Sequence, residues 1–277
     1  MGETVVEGVQ EVEWARLKAH ELRALAERDA VVVVPVAAME QHGPHLPVQV
    51  DSRLATEVAQ RAARKVQTRR PTVVLPVIWC GLSEHHMPFG GTITLDYQTL
   101  FGLFRCIVDS VHRHGFKDVL ILNGHGGNIL ASQMIAQDLS MQLPVTVIAA
   151  TYWLEAAGRL APLLEDQSNV LHAGEAETSM MMALTPELVD DSDLAAHAVS
   201  ADLGFLQAGE GSFRWRDLSH VTPNGVIGNP AHASADKGER LLEAAAQAVA
   251  DLIGDPKSWA TARDLRGNGT AGVSFRR

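Results

Sequence analysis

The residues with the clearest capacity for chemistry stand in the segment Glu40-Gln41-His42-Gly43 and at Asp51. Glu40, His42 and Asp51 offer two carboxylates and one imidazole within a short, proline-containing stretch. Hard oxygen ligands mixed with a ring nitrogen suit Zn²⁺, Mn²⁺ or Fe²⁺. A polar turn followed by a helix-capping aspartate explains the same residues equally well. Taken alone, the segment leaves a metal site and a simple turn open.

A second polar cluster, Asn123-Gly124-His125-Gly126-Gly127-Asn128, directly follows another apolar run. Its glycines permit close backbone approach to a ligand, so by itself it also fits a phosphate-binding turn. Ligands of open α/β sheets bind beyond the carboxyl ends of the strands. Both clusters come directly after predicted strands. We therefore expect His125 to meet the first cluster in one crevice and to complete a metal-binding set.

The third cluster is His172-Ala173-Gly174-Glu175-Ala176-Glu177, which precedes an apolar run of methionines. A carboxylate that enters a core needs a partner, and a metal ion is a good one. Glu177 is therefore predicted to be a further metal ligand with a catalytic role, although either glutamate could instead cap a helix. His172 is the predicted proton-transfer residue, because the reference pKa of histidine lies near neutrality.

Other residues near these strand ends are candidates for contact with a substrate. Tyr152 and Trp153 follow the fourth predicted strand, where an aromatic ring could cover a flat substrate or simply pack in the core. In the segment Glu84-His85-His86, neighbouring side chains should diverge, so at most one histidine is expected to face the site. A rim or subunit contact is the role predicted for that segment. The remaining predicted substrate contacts are Ser83, Gly126 and Gly127.

The elements that must position these residues alternate between buried strands and amphipathic helices, which is typical of βαβ units. The predicted fold is α/β, a single domain over residues 1–277 with a mostly parallel central sheet flanked by helices. Residues 190–229 show weak periodicity and are expected to form an ordered excursion or a subunit contact. Residues 152–160 and 200–229 are expected to contribute to the pocket walls, and residues 255–277 are expected to be a loosely held tail. The predicted strands cover residues 30–36, 72–79, 118–122 and 145–150. The predicted helices cover residues 12–27, 51–64, 97–114, 128–142, 175–184 and 234–253.

The composition and charge of the sequence argue against several classes of function. A formal net charge of −10 and a pI near 5.6 argue against a general nucleic-acid binder, which needs a basic surface. The sequence has no apolar run of about 20 residues and no signal-peptide pattern, so we expect a cytoplasmic protein. Cys80 and Cys106 stand in apolar segments and are expected to be buried and reduced. Neither a Gly-x-Ser-x-Gly nucleophile elbow nor a P-loop is present.

Together the three clusters resemble the creatininase (creatinine amidohydrolase) family, and the resemblance extends from Trp14 to the terminal helix. It implies a two-metal site, a metal-activated water, a small-molecule substrate and a homo-oligomer, often a homohexamer. By that pattern Glu40 and His125 bind one ion, His42 binds the other, and Asp51 bridges them. The ions would be two divalent metals, with zinc favoured and manganese or iron also suitable.

The sequence departs from the creatinine-cleaving members at informative positions. Those members carry a metal-binding Glu where Gly127 stands, a Glu where Leu171 stands and a Trp where Ser168 stands. Glu177 is the candidate to supply the missing ligand. The differences argue against creatinine and favour a broader branch, whose members cleave formamides, a peptide, and cyclic or sugar-like substrates. The expected function is hydrolysis of a C–N bond in a small amide, lactam or formamide. A peptidase-type or sugar-lactone-type hydrolase and a non-catalytic binding protein on the same fold stay open.

Overall fold

A parallel four-stranded sheet forms the centre of the computed structural model, which describes residues 11–200, 214–262 and 265. The strand order is β2-β1-β3-β4, and all three neighbouring pairs are parallel. This arrangement confirms the predicted α/β class with a parallel sheet and flanking helices. The strands are β1 (Val31–Val36), β2 (Thr72–Val74), β3 (Asp118–Asn123) and β4 (Thr146–Thr151).

Strand β1 is an interior strand of the sheet, and its side chains are buried on both faces. Val31 and Val33 pack into one hydrophobic cluster, whereas Val32 and Val34 pack into another on the opposite face. Alternate side chains of a strand point to opposite faces, so a run of valines buried throughout fits an interior parallel strand. Helices must therefore cover both faces of the sheet.

Eight α-helices of the described residues supply that cover. In one hydrophobic cluster, β1 packs against the helices that begin at Val50, Glu175 and Ala235. In the other, it packs against the helices that begin at Ala19, Tyr97 and Ile129. The helices are α1 (Ala19–Glu27), α2 (Val50–Val66), α3 (Tyr97–Arg113), α4 (Ile129–Gln142), α5 (Tyr152–Glu155), α6 (Ala157–Leu160), α7 (Glu175–Leu184) and α8 (Ala235–Gly254).

Several element boundaries differ from those predicted. The predicted strand over residues 72–79 ends at Val74. Leu75 still donates to the Val33 carbonyl over 2.9 Å, but Pro35 of β1 has no N–H to donate in return, and pairing resumes where Ile78 donates to the Pro35 carbonyl over 2.9 Å. The predicted helix over residues 12–27 divides into a 3₁₀ turn, Trp14–Arg16, and α1.

The second half of the chain is less regular, as its weak periodicity indicates. Residues 190–229 contain short 3₁₀ turns at Leu194–His197 and Leu218–His220, and residues 201–213 of this segment lie outside the described residues. Within the predicted tail, Pro256–Trp259 forms a 3₁₀ turn whose tryptophan is buried. Most of the tail beyond it lies outside the described residues.

The prediction that both cysteines are buried was wrong. Cys106 is exposed on α3 and Cys80 is half-buried, because each lies at the solvent-facing side of its segment; both are free thiols. Among the helices that the structure describes, none combines the length and hydropathy required to cross a bilayer.

Candidate metal centre

The segment after β1 turns back on itself and delivers two of the predicted ligands. His42 donates from Nδ1 to the backbone carbonyl of Glu40 over 3.1 Å, since a carbonyl can only accept. In the neutral ring, the Nε2 atom therefore carries the lone pair that a metal ion would use. Asp51 lies in the first turn of α2. Glu40, His42 and Asp51 are each at most 3% exposed as whole residues, so their side chains face the protein interior.

Asp51 lies between two histidines. Its Oδ1 atom is 3.1 Å from Nε2 of His42, and its Oδ2 atom is 3.1 Å from Nδ1 of His125. Ligand atoms bound to one metal ion at about 2.0–2.2 Å are separated from each other by about this distance. One carboxylate oxygen is thus directed to each histidine.

His125 is oriented by the loop that follows β3 and by the segment after β2. Its backbone N–H donates to the Asn123 side chain over 3.0 Å. Its Nε2 atom donates to the carbonyl of Leu82 over 3.1 Å, which leaves the lone pair on Nδ1. That Nδ1 atom lies 3.2 Å from Oε1 of Glu40. The ring is thereby held with its free nitrogen between two carboxylates.

Glu177 reaches the same place from the first turn of α7. Its Oε2 atom lies 3.6 Å from Nε2 of His42 and accepts the backbone N–H of Ala173 over 2.6 Å. Ala173 has a φ of +53°, an uncommon backbone conformation for a residue with a side chain. The strained turn at Ala173 directs an N–H at the carboxylate, and Glu177 is 5% exposed.

The geometry fits a pair of cations. Oε2 of Glu40, Nε2 of His42 and Oδ2 of Asp51 are buried atoms without a hydrogen-bond partner, although the histidine and aspartate atoms lie close to oppositely charged groups. Such atoms are costly to bury unless an ion satisfies them. Ligand atoms lie within 4.8 Å of one another in three residue sets: Glu40 with Asp51 and His125, His42 with His172 and Glu177, and Glu40 with His86 and His172.

The buried carboxylates of the cluster favour the binding of positive charge. Burial lowers the pKa of His42, but the carboxylates of Asp51 and Glu177 outweigh it and hold that pKa well above the ordinary value. Burial likewise opposes protonation of His125, yet Glu40 and Asp51 raise its pKa to about 10. A metal ion that binds here takes the place of those protons.

His172, the predicted proton-transfer residue, lies beside the cluster. Its Nε2 atom donates to the backbone carbonyl of Gln41 over 2.8 Å, and its Nδ1 atom lies 3.8 Å from Oε1 of Glu40. Its ring centroid is 4.2 Å from that of His42. Burial, and then the neighbouring His42, hold the pKa of His172 well below its ordinary value. The ring is therefore neutral, with its free lone pair directed to the site.

His86 lies at the site, although a rim or subunit contact was the role predicted for its segment. The His86 ring accepts the Gln41 side-chain N–H at Nδ1 over 2.9 Å, and its Nε2 atom lies 3.2 Å from Oε1 of Glu40. His85 also faces the crevice, with its ring stacked on His125 at 5.6 Å. The expectation that at most one of the two faces the site was wrong, because both lie on a 3₁₀ turn, Glu84–Phe89, beside the crevice.

The predicted substrate contacts divide into two groups. Trp153, Gly126 and Gly127 line a cavity that opens from the metal centre. Tyr152 is buried in the hydrophobic core, edge-on to Trp153, and is not among the lining residues described. Ser83 is fully buried and its hydroxyl lies 3.3 Å from Nε2 of His125, so it contacts a predicted ligand and is not among the residues that line the cavity.

Gln41 was not predicted from the sequence, and Trp215 was covered only by the expectation that residues 200–229 contribute to the pocket wall. Gln41 stands inside the first cluster, where its position between Glu40 and His42 was a usable signal. Its side chain and backbone carbonyl contact His86 and His172. Trp215 lines the cavity from the irregular second half, where its neighbours form no readable pattern.

Comparisons with known proteins identify the family of this chain. A family model described as creatinine amidohydrolase matches residues 15–253. The creatinine amidohydrolase of Pseudomonas putida is 29% identical over 269 residues, which cover 88% of this chain and 95% of that protein. A mycofactocin precursor peptide peptidase of Mycobacterium ulcerans is 31% identical over 84% of this chain and 87% of its own length. The 3-dehydro-scyllo-inosose hydrolase of Thermotoga maritima is 27% identical over 81% and 77%.

Solved structures show the same similarity in three dimensions. A mutant creatininase complexed with creatine superimposes with a TM-score of 0.72 at 28% identity, covering 88% of this chain and 98% of that chain. A mutant creatininase of zinc–zinc type gives a TM-score of 0.72 at 29% identity over 88% and 97%. Because the family model matches residues 15–253 of the chain, this chain belongs to the creatininase family.

Proposed function

We propose that this chain is a metal-dependent amidohydrolase that cleaves the C–N bond of a small amide, lactam or formamide. The observation that carries the proposal is the position of Asp51, whose two oxygens each lie 3.1 Å from a ring nitrogen of a different buried histidine. Glu40 and His125 would hold one cation with Asp51, and His42 and Glu177 would hold the other. Zinc is the favoured ion, and manganese and iron suit the same ligands.

Two divalent cations in such a site lower the pKa of a water molecule and polarise a carbonyl oxygen. The protein supplies the proton transfer. Nε2–H of His172 is engaged by the Gln41 carbonyl, so Nδ1 is free to accept a proton from the attacking water and to return it to the departing nitrogen. Glu177 is held by the Ala173 N–H and in turn orients His42. His172 and Glu177 are thus the residues to which we assign catalysis.

The test pairs metal analysis with a substrate screen. Elemental analysis of the purified protein should find about two Zn or Mn ions per chain, as two-metal chemistry requires. The loaded protein should release product from members of a panel of amides, lactams and formamides. His172→Asn should keep its metal and lose turnover. A protein that binds no added zinc or manganese, or one equally active after chelation, would refute the proposal.

Three broader features complete the proposal. The chain forms one domain, acts in the cytoplasm on a small molecule without nucleic-acid or membrane partners, and assembles as a homo-oligomer of the hexameric type. Support for assembly comes from Met134 and Met141, one heptad apart on α4 and 53% and 61% exposed. Large apolar side chains on one helix face are common at subunit contacts. Light scattering on the purified protein measures the oligomeric state directly.

A further inference from the structure

The crevice at the metal centre continues into a cavity of about 600 Å³. Glu40, His125 and His172 are among the residues at one end of its lining. Cavities of roughly 300–1,000 Å³ enclose molecules of drug size. A single small ring such as creatinine would leave much of this volume to water. The size of the cavity therefore indicates a larger substrate.

Away from the metal centre, the cavity is lined by more apolar than polar side chains. The apolar ones include Leu82, Leu95, Leu130, Trp153 and Trp215, and the polar ones are Glu84, Thr94, Asp96, Tyr97 and Arg216. Apart from the indole N–H groups, the five apolar side chains offer no hydrogen bonds, so the surface they form favours an apolar group of the substrate.

Two of these wall residues are left in contact with solvent. Leu130 is 59% exposed and Trp215 is 55% exposed, and both border the same cavity. Covering such apolar surface is favourable in proportion to its area. An apolar group of the substrate would gain this free energy while its polar end reached the metal centre.

We infer that the substrate is an amide that carries a large apolar, preferably aromatic, group. The inference rests on the proposed C–N hydrolysis. The reacting carbonyl lies toward Glu40 and His172, and the apolar group lies along Leu130, Trp153 and Trp215. On hydrolysis the C–N bond breaks, the acyl carbon receives the hydroxyl of water, and the nitrogen receives the proton. The products are a carboxylic acid and an amine or ammonia.

Binding can be measured without turnover by using methyl ketones, which resemble primary amides but have no C–N bond. Calorimetry on the metal-loaded protein would compare acetone, 2-heptanone and 2-acetonaphthone. We expect affinity to rise about fourfold for each methylene that becomes buried. The naphthyl ketone should bind at least about a hundredfold more tightly than acetone, given the size of its apolar surface.

Two tryptophan variants locate the effect. Trp215→Ala should weaken binding of the naphthyl ketone about tenfold and leave acetone unchanged. Trp79→Ala is the matched control, because Trp79 is 46% exposed but is not among the cavity residues. It should leave both affinities unchanged. Equal binding of all three ketones, or equal effects of the two variants, would overturn the inference.

A parallel assay separates this inference from the proposed function. The corresponding primary amides, acetamide, hexanamide and 2-naphthamide, are offered to the same metal-loaded protein and ammonia is measured. Faster release from the larger amides supports both conclusions. Ketone affinity that rises with apolar size, without hydrolysis of any amide or other member of the panel, supports the apolar preference of the cavity and refutes the C–N hydrolysis.

Discussion

Gly127 lies so close to Leu82 that a Cβ atom added to the glycine would come within 2.2 Å of the Leu82 carbonyl oxygen. That carbonyl accepts the Nε2–H of His125 and so fixes which nitrogen of the ring faces Asp51. The absence of a side chain at Gly127 therefore allows His125, a predicted metal ligand, to keep its orientation. It also explains why the carboxylate expected by resemblance at this position cannot be accommodated here.

Replacement of Gly127 by Glu should consequently damage the site rather than restore a ligand. The new side chain must displace the segment at Leu82 or the ring of His125, which is 2.5 Å from the added Cβ position. We expect a loss of roughly 3 kcal/mol in the free energy of unfolding. Bound metal should fall as well. Thermal unfolding and elemental analysis measure the two effects.

Gly126→Ala is the matched control, because a Cβ at Gly126 meets nothing within 4 Å. This variant should unfold at the temperature of the unmodified protein and keep its metal. If Gly127→Glu were as stable as Gly126→Ala and bound as much metal, the close contact with Leu82 would not matter.

Asp51→Asn tests the shared carboxylate. The amide keeps the size of the side chain but loses the negative charge directed at His42 and His125. We expect metal content to fall from about two ions per chain to one or none, and turnover to fall at least about a hundredfold. Glu57→Gln, on the same helix but paired with Arg53 and Arg61, should change neither quantity. Full metal occupancy and turnover in Asp51→Asn would contradict the bridging role.

The parallel sheet explains why the convergence of Glu40, His42, Asp51 and His125 could be anticipated. β1 and β3 are neighbours that end at the same edge, so the segments that follow them must meet there. Their role as metal ligands is a prediction that Asp51→Asn tests. The fold could likewise be predicted from local sequence patterns, namely the run of valines in β1 and the periodicity of the long helices.

Other parts of the site depend on contacts that no local pattern encodes. His86 reaches Glu40 because a 3₁₀ turn packs beside the crevice, and adjacent residues there do not diverge as in a strand. Trp215 comes from a segment without periodicity. The position of Glu177 depends on how closely α7 approaches α8, which is a matter of tertiary packing.

Removal of the metal ions should destabilise the fold, because only the protonated rings of His42 and His125 would then balance the buried carboxylates of Glu40, Asp51 and Glu177. Zinc at a free concentration a hundredfold above its dissociation constant adds about 2.7 kcal/mol per site. For a chain of this length that corresponds to a rise in Tm of about 5–8 °C. Calorimetry of chelated and reloaded protein measures the shift. Magnesium, which prefers oxygen ligands, serves as the control ion and should give a smaller rise. An unchanged Tm on zinc addition would contradict the site.

Lys237→Met should destabilise the protein through Glu175, which is fully buried. Nζ of Lys237 lies 2.5 Å from the Glu175 carboxylate, which also accepts the backbone N–H of Glu165. Removing one partner of a buried ion pair leaves an uncompensated charge and costs about 3–5 kcal/mol. The double variant Lys237→Met/Glu175→Gln should recover part of that loss in denaturant unfolding. If the double variant were less stable than Lys237→Met, the uncompensated charge would not be the cause.

The approach of α8 to α7 depends on Gly238. A Cβ atom there would lie 1.9 Å from the backbone carbonyl oxygen of Ser179, which belongs to the helix that carries Glu177. Gly238→Ala must therefore move the two helices apart, and we expect a loss of about 3 kcal/mol in the free energy of unfolding together with weaker metal binding. Gly102→Ala, in the interior of α3 with nothing within 4 Å of the added Cβ, is the matched control. It should raise stability by about 0.5–1 kcal/mol, since alanine favours helix over glycine. Urea unfolding of both variants decides the matter: equal stabilities would mean that the helices do not need a glycine at their contact.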